Sequence, residues 1–165
     1  MNKELTRLKD ELMAGRPVIS FTRGISMEPL LHDKEKKNAT HVLIQPVTEI
    51  CKVGDMPLAL LSDGRYILHR IIRVEKEEDK LFYVTRGDNC VGCEYVPQEA
   101  VVGVVSEIYY KNHKTVKVTD SGYLRYVKVW MGLFPIRKCF MRCRGVIGRV
   151  CRKVKRILSI INRNI

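Results

Sequence analysis

Leu5, Leu8 and Leu12 recur at spacings of three and four among charged neighbours, which predicts an amphipathic helix over residues 3–14. Gly15-Arg16-Pro17 stops it, because glycine accepts the left-handed turn that closes a helix and proline cannot continue one. The period then changes. Short runs rich in β-branched and aromatic residues follow at 18–22, 41–45, 57–61, 66–74, 81–85, 101–110 and 115–118. Between them, residues 23–29 read as a turn with a helical start and residues 33–40 as a polar, lysine-rich loop. Ser62-Asp63-Gly64-Arg65 reads as a turn, and residues 75–80 as the tip of a hairpin. Many short strands with such breaks predict a mostly β domain with mixed pairing. The chain shows no internal repeat and no low-complexity stretch.

The period shifts once more near the end. Ile136, Phe140, Cys143, Ile147, Val150, Val154, Ile157 and Ile161 step by 4, 3, 4, 3, 4, 3 and 4, one apolar stripe on a helix, with Lys and Arg on its other faces. Upstream lie Tyr123, Tyr126, Trp130 and Phe134, amphipathic rings of the kind found at interfaces. The pattern predicts three parts: an N-terminal helix over 1–16, a β-rich domain over 17–119 and a basic amphipathic helical tail over 120–165.

Charge sharpens that division. The 165 residues carry a net charge of +12, and residues 121–165 hold 12 Lys and Arg with no Asp or Glu. Residues 1–120 therefore sum to zero, which describes a neutral domain with a cationic arm rather than a uniformly basic globule. A mass of 19.1 kDa fits one domain with extensions. No stretch approaches the roughly 20 apolar residues of a membrane span, and the first 16 residues lack the apolar core of a signal peptide. The expectation is a cytoplasmic protein whose six cysteines stay reduced.

Three segments could carry chemistry. In Gly24-Ile25-Ser26-Met27-Glu28-Pro29-Leu30, a serine in a glycine-led turn can present its hydroxyl as a nucleophile and its backbone N–H to an oxyanion, or can cap a helix. His69, within Tyr66-Ile67-Leu68-His69-Arg70-Ile71-Ile72, is either a general base or a satisfied strand residue. Gly87-Asp88-Asn89 is a turn that could also orient a histidine.

In this order, and with Val53-Gly54-Asp55 and Val102-Gly103-Val104-Val105 between and after them, the three segments resemble the type I signal peptidase and LexA-type serine peptidase superfamily over roughly residues 18–110. The resemblance implies a signal-peptidase/LexA-like β-rich fold and a serine endopeptidase that cuts an extended signal- or leader-like peptide through an acyl-enzyme. It implies Ser26 as nucleophile, His69 as base and Asp88 as the acid that orients it. Histidine at that position is similar to the endoplasmic-reticulum, archaeal and sporulation-type enzymes, whereas most bacterial relatives have lysine. Those His-type relatives often carry a further Asp, near whose place this chain has Glu94, so the resemblance leaves the orienting acid open between Asp88 and Glu94. Relatives also have a membrane anchor before the serine and frequently a hydroxyl residue two positions ahead of it, where this chain has a charged helix and Gly24. Gly24, Ser26 and Met27 are the residues expected around the oxyanion and the bound peptide.

No cofactor is called for. Cys90-x-x-Cys93 lacks a second pair for a zinc site and the helix start of a redox motif, and Cys139, Cys143 and Cys151 read as small apolar fillers, so no metal ligands are assigned. The expected partners are a peptide or pre-protein substrate and an anionic membrane surface, met through residues 136–161. A protein partner for the tail comes next, and nucleic acid is disfavoured. The rival is a LexA-type regulatory protein that cuts itself or only binds, with the tail on DNA or a partner. No helix-turn-helix precedes the domain, and Ala14-Gly15 is the single candidate for self-cleavage.

Overall fold

A computed structural model describes residues 3–143. It forms two compact units that divide between Met131 and Gly132.

The first unit is mostly β. Helix α1 (Lys3–Met13) comes first. It ends as its sequence requires: Gly15, at φ +79°, donates to Leu12 O and Arg16 to Glu11 O, each at 3.0 Å, a Schellman closure with glycine in the left-handed position. Strands β1 (Val18–Phe21), β2 (His41–Gln45), β3 (Pro57–Leu60), β4 (Tyr66–Leu68), β5 (Arg70–Glu77), β6 (Lys80–Arg86), β7 (Glu94–Pro97), β8 (Val101–Tyr109) and β9 (Thr115–Lys117) follow, then helix α2 (Ser121–Gly132). One antiparallel sheet runs β1-β2-β8-β3-β4, with β9 also on β8; the other runs β5-β6-β7.

Strand β8 is the spine. It pairs with β2, β3 and β9 and sends Val102, Val105 and Ile108 into the main core. Leu8 and Leu12 of α1, Met27, Leu30 and Leu31 of the loop after β1, and Tyr123 and Val127 of α2 fill that core from the helix side. The opposite face meets a smaller core of Cys51, Ala59, Ile71, Tyr83 and Val96. Alternation along β3 serves both, Leu58 entering one core and Ala59 the other. Gly103 lets β2 and α1 approach β8: a Cβ there would lie 2.6 Å from Ile44 Cγ2 and 3.0 Å from Leu12 Cδ1.

Three features differ from the sequence pattern. The run 66–74 is two strands broken at His69, because β4 pairs with β3 in the large sheet while β5 pairs with β6 in the small one. Strand β7 ends on a proline and gave no alternating signal. The tail does not begin at residue 120: α2 buries Tyr123 and Val127 in the first unit, so Tyr123 is a core residue rather than an interfacial ring. In the second unit, residues 134–143 are helical, and Ile136 and Phe140 are exposed. The rest of the stripe, from Ile147 to Ile161, lies outside the described residues. Among the described residues, no helix is long and apolar enough to cross a membrane.

Candidate active site

Ser26 sits in the turn that follows β1. Gly24, at φ +80°, starts this turn, and the buried side chains of Met27, Leu30 and Leu31 anchor it. Two buried threonines pin its far end. Thr22 Oγ1 donates to His32 O at 2.6 Å, and His32 N–H donates to Thr40 Oγ1 at 2.8 Å. The Gly24 N–H donates to the Asp33 carboxylate. Hydrogen bonds from the Glu35 and Gly24 N–H groups hold Asp33 below the usual carboxylate range. The Gly24 N–H is therefore occupied as a donor within the turn.

His69 is the single residue between β4 and β5, the corner where the chain leaves one sheet for the other. It is buried, at 8% exposure. Its Nδ1 lies 2.9 Å from Glu94 Oε2. Ser26 and His69 line one cleft of about 510 Å³. Phe21 and Thr22 border it from the β1 side and Tyr66, Ile67 and Leu68 from β4, the two outer strands of the large sheet, while Val42, Ile44 and Leu58 form an apolar floor. Met27 lines the cleft from within the core.

Asp88 is placed differently from the expectation. Its Oδ1 accepts from Arg70 Nε at 2.9 Å and its Oδ2 from Arg70 Nη2 at 2.7 Å, a bidentate pair whose side chains are 1% and 4% exposed. Arg70 Nη1 also donates to Gly54 O at 2.9 Å and to Tyr123 Oη at 3.0 Å. Burial works against the guanidinium charge, but the hydrogen bonds and attraction of Asp88, aided by Tyr123, hold its pKa above the ordinary value. The physical reason is demand: a buried guanidinium needs a carboxylate, so Asp88 answers Arg70 while Glu94, at the start of β7, meets the histidine.

The turn after β6 also holds the serine. Asn89 N–H donates to Ser26 O at 2.7 Å, and Asn89 Nδ2 to Ile25 O at 3.2 Å. Gly87 packs so tightly that a Cβ there would lie 2.7 Å from Ser26 O and 3.1 Å from Ser26 Cβ. Arg70, the chain neighbour of His69, is thus tied by Asp88 to the turn that grips Ser26. The sequence pattern placed Tyr123 among interfacial rings and Asn89 only in a turn, and pointed to neither contact. The one available signal was an arginine inside an apolar strand, which requires a buried acid somewhere.

Chemically, a neutral imidazole that donates Nδ1–H to a carboxylate keeps Nε2 as an acceptor. With a serine on the same cleft, that arrangement suits nucleophilic catalysis on a carbonyl. Among the described residues, no group of three or more His, Cys, Asp or Glu side chains could hold a metal ion. No protein-family model, no curated protein and no solved structure matches the chain.

Proposed function

We propose that this chain is a serine endopeptidase of the signal-peptidase-like type, with Ser26 as nucleophile, His69 as general base and Glu94, rather than Asp88, as the residue that orients the base. The observation that carries this reading is the cleft itself: Ser26 and His69 line one cleft, and a carboxylate 2.9 Å from His69 Nδ1 leaves Nε2 for the serine proton. The mostly β domain with these motifs is read as a variant of the signal-peptidase/LexA-like fold.

In this mechanism His69 takes the Ser26 proton as Oγ bonds to the scissile carbonyl carbon. The Ser26 N–H supports the oxyanion. The imidazolium returns the proton to the leaving amine, and water, deprotonated by the same histidine, hydrolyses the ester. Glu94 stabilises the imidazolium through Nδ1. The substrate is an extended peptide laid along the outer strands β1 and β4 with side chains on the apolar floor. The basic segment 136–161 attracts the enzyme to an anionic membrane surface from the cytoplasm; its described portion presents Ile136 and Phe140 outward.

The test is covalent. A fluorophosphonate should label the chain at Ser26, and Ser26→Ala should abolish both labelling and cleavage of a signal-peptide-like substrate while the melting temperature stays unchanged. Labelling elsewhere, or unaltered cleavage by Ser26→Ala, would remove the nucleophile assignment.

A further inference from the structure

The loop joining β6 to β7 carries two thiols that the proposed mechanism does not use. Thr85 and Glu94 are the last Cα partners of the β6–β7 ladder, and Arg86 and Cys93 follow them into the loop. Burial works against the Arg86 guanidinium charge, and attraction to the nearby Cys93 sulfur opposes that effect. Cys93 is exposed and Cys90 half-buried. The Cys90 N–H closes a turn on Gly87 O at 3.0 Å, and the chain bends at Val91. Three residues of chain reach at most about 10 Å, and the bend at Val91 keeps Cys90 and Cys93 from that full extension, while a disulfide needs roughly 4.4–6.8 Å between Cα atoms. Gly92, between the thiols, has nothing within 4 Å of where a Cβ would stand, so the backbone there has room to adjust.

We propose that Cys90 and Cys93 form a peroxide-responsive dithiol whose disulfide deforms the loop that grips Ser26 and His69. The Cys93 thiolate attacks one peroxide oxygen; an S–O bond forms, the O–O bond breaks, and the leaving hydroxide takes a proton to become water. The Cys93 sulfur is oxidised by two electrons to a sulfenic acid and the peroxide is reduced. Cys90 sulfur then attacks that sulfur; the S–S bond forms, the S–O bond breaks, and the hydroxyl departs with the Cys90 thiol proton as a second water. Two thiols and one hydrogen peroxide thus give one disulfide and two waters. Arg86 stands in for the helix N-terminus common in such motifs, stabilising the negative charge that passes from sulfur to the departing oxygen. Burial, then the charges of Glu94 and Asp88, push the Cys90 thiol up, which suits the resolving role. A transient regulatory disulfide of this kind is compatible with a reducing compartment.

The consequence for the site follows from contacts. Cys90 Sγ would lie 2.8 Å from a Gly87 Cβ, and Gly87 abuts Ser26. Cys93 directly precedes Glu94, the partner of His69. Drawing the two sulfurs together moves both supports. This coupling rests on the peptidase reading; formation of the disulfide does not.

The full chain is treated with hydrogen peroxide, alkylated and digested with trypsin. Peptide 87–111 contains Cys90 and Cys93 and no other cysteine. It should lose two hydrogens, resist alkylation and recover with dithiothreitol. Cys90→Ser should stop at a Cys93 sulfenic acid that a dimedone probe captures, and Cys93→Ser should leave Cys90 reduced. Fluorophosphonate labelling of Ser26 should slow about tenfold in the oxidised protein, recover on reduction, and be peroxide-insensitive in the double serine variant, a change of the size expected when reacting groups are misaligned. A peptide 87–111 that remains fully alkylatable overturns the dithiol. A disulfide that forms with no change in labelling overturns the coupling. A reduced protein whose Ser26 never takes the probe overturns the peptidase reading and leaves the mass result standing.

Discussion

At the scale of residues, two acids close to one histidine have separate tasks. Glu94 is 38% exposed at its side chain and meets His69; Asp88 is buried on Arg70. Glu94→Gln should lower kcat/KM by about two to four orders of magnitude, the range of general acid–base assistance, because the imidazolium loses its counter-charge. Its melting temperature should stay close to the native value. Asp88→Asn should do the reverse first: a buried guanidinium left short of charge costs about 3–5 kcal/mol, read as a lower urea midpoint. Equal activity losses with equal stability losses in both variants would refute the division.

At the scale of elements, the geometry depends on how turns and helices are held. Gly87 is the tightest point. Gly87→Ala should slow phosphonylation of Ser26 by about 10²-fold through displacement of the serine turn, whereas Gly92→Ala, in open space, should leave it unchanged. The helix α2 is a second support. A chain cut after Asp120 loses Tyr123, Val127 and the hydroxyl that accepts from Arg70. Burial of each apolar side chain is worth about 1.5–3 kcal/mol, so calorimetry should show a fall of about 10 °C or more, or no cooperative transition. A chain cut after Met131 keeps the first compact unit and should melt near the full-length temperature. If both truncations melt alike, α2 contributes nothing to the core.

At the scale of the whole molecule, charge and burial set the response to salt and pH. Cleavage of substrate on anionic vesicles should be faster than in solution, and the advantage should shrink with added salt as exposed charges are screened. Equal rates at all salt concentrations would assign the basic segment to another partner. On the alkaline side, burial and then the charge of Asp55 raise the Cys51 thiol from 9.0 to about 11. The unfolded chain loses that proton first, so the associated stability is complete below about pH 9 and lost as pH climbs through about 11. Tyr110 and Tyr123, raised chiefly by burial, act in the same direction. The urea midpoint should therefore decline between about pH 8 and about pH 10.5, and less steeply in Cys51→Ala. A midpoint independent of pH over that range would contradict the burial of these groups.

Local physics made much of this protein legible from its residues alone. Leucine spacing and the Gly15 stop define α1, alternation and β-branching define most strands, and acid depletion past Asp120 isolates the basic arm. Ser26 and His69 could be singled out because their motifs are short and contiguous. The choice of acid could not. Asp88 and Glu94 are separated by a loop, and which one reaches His69 is decided by the β6–β7 register and by the competing demand of the buried Arg70. The break of one apolar run into β4 and β5 at His69 likewise depends on two sheets meeting there, and the recruitment of Tyr123 depends on α2 covering β8's core face. Periodicity reports the face a residue presents to its own element; partners across space follow from strand order, register and the need of each buried charge to be answered.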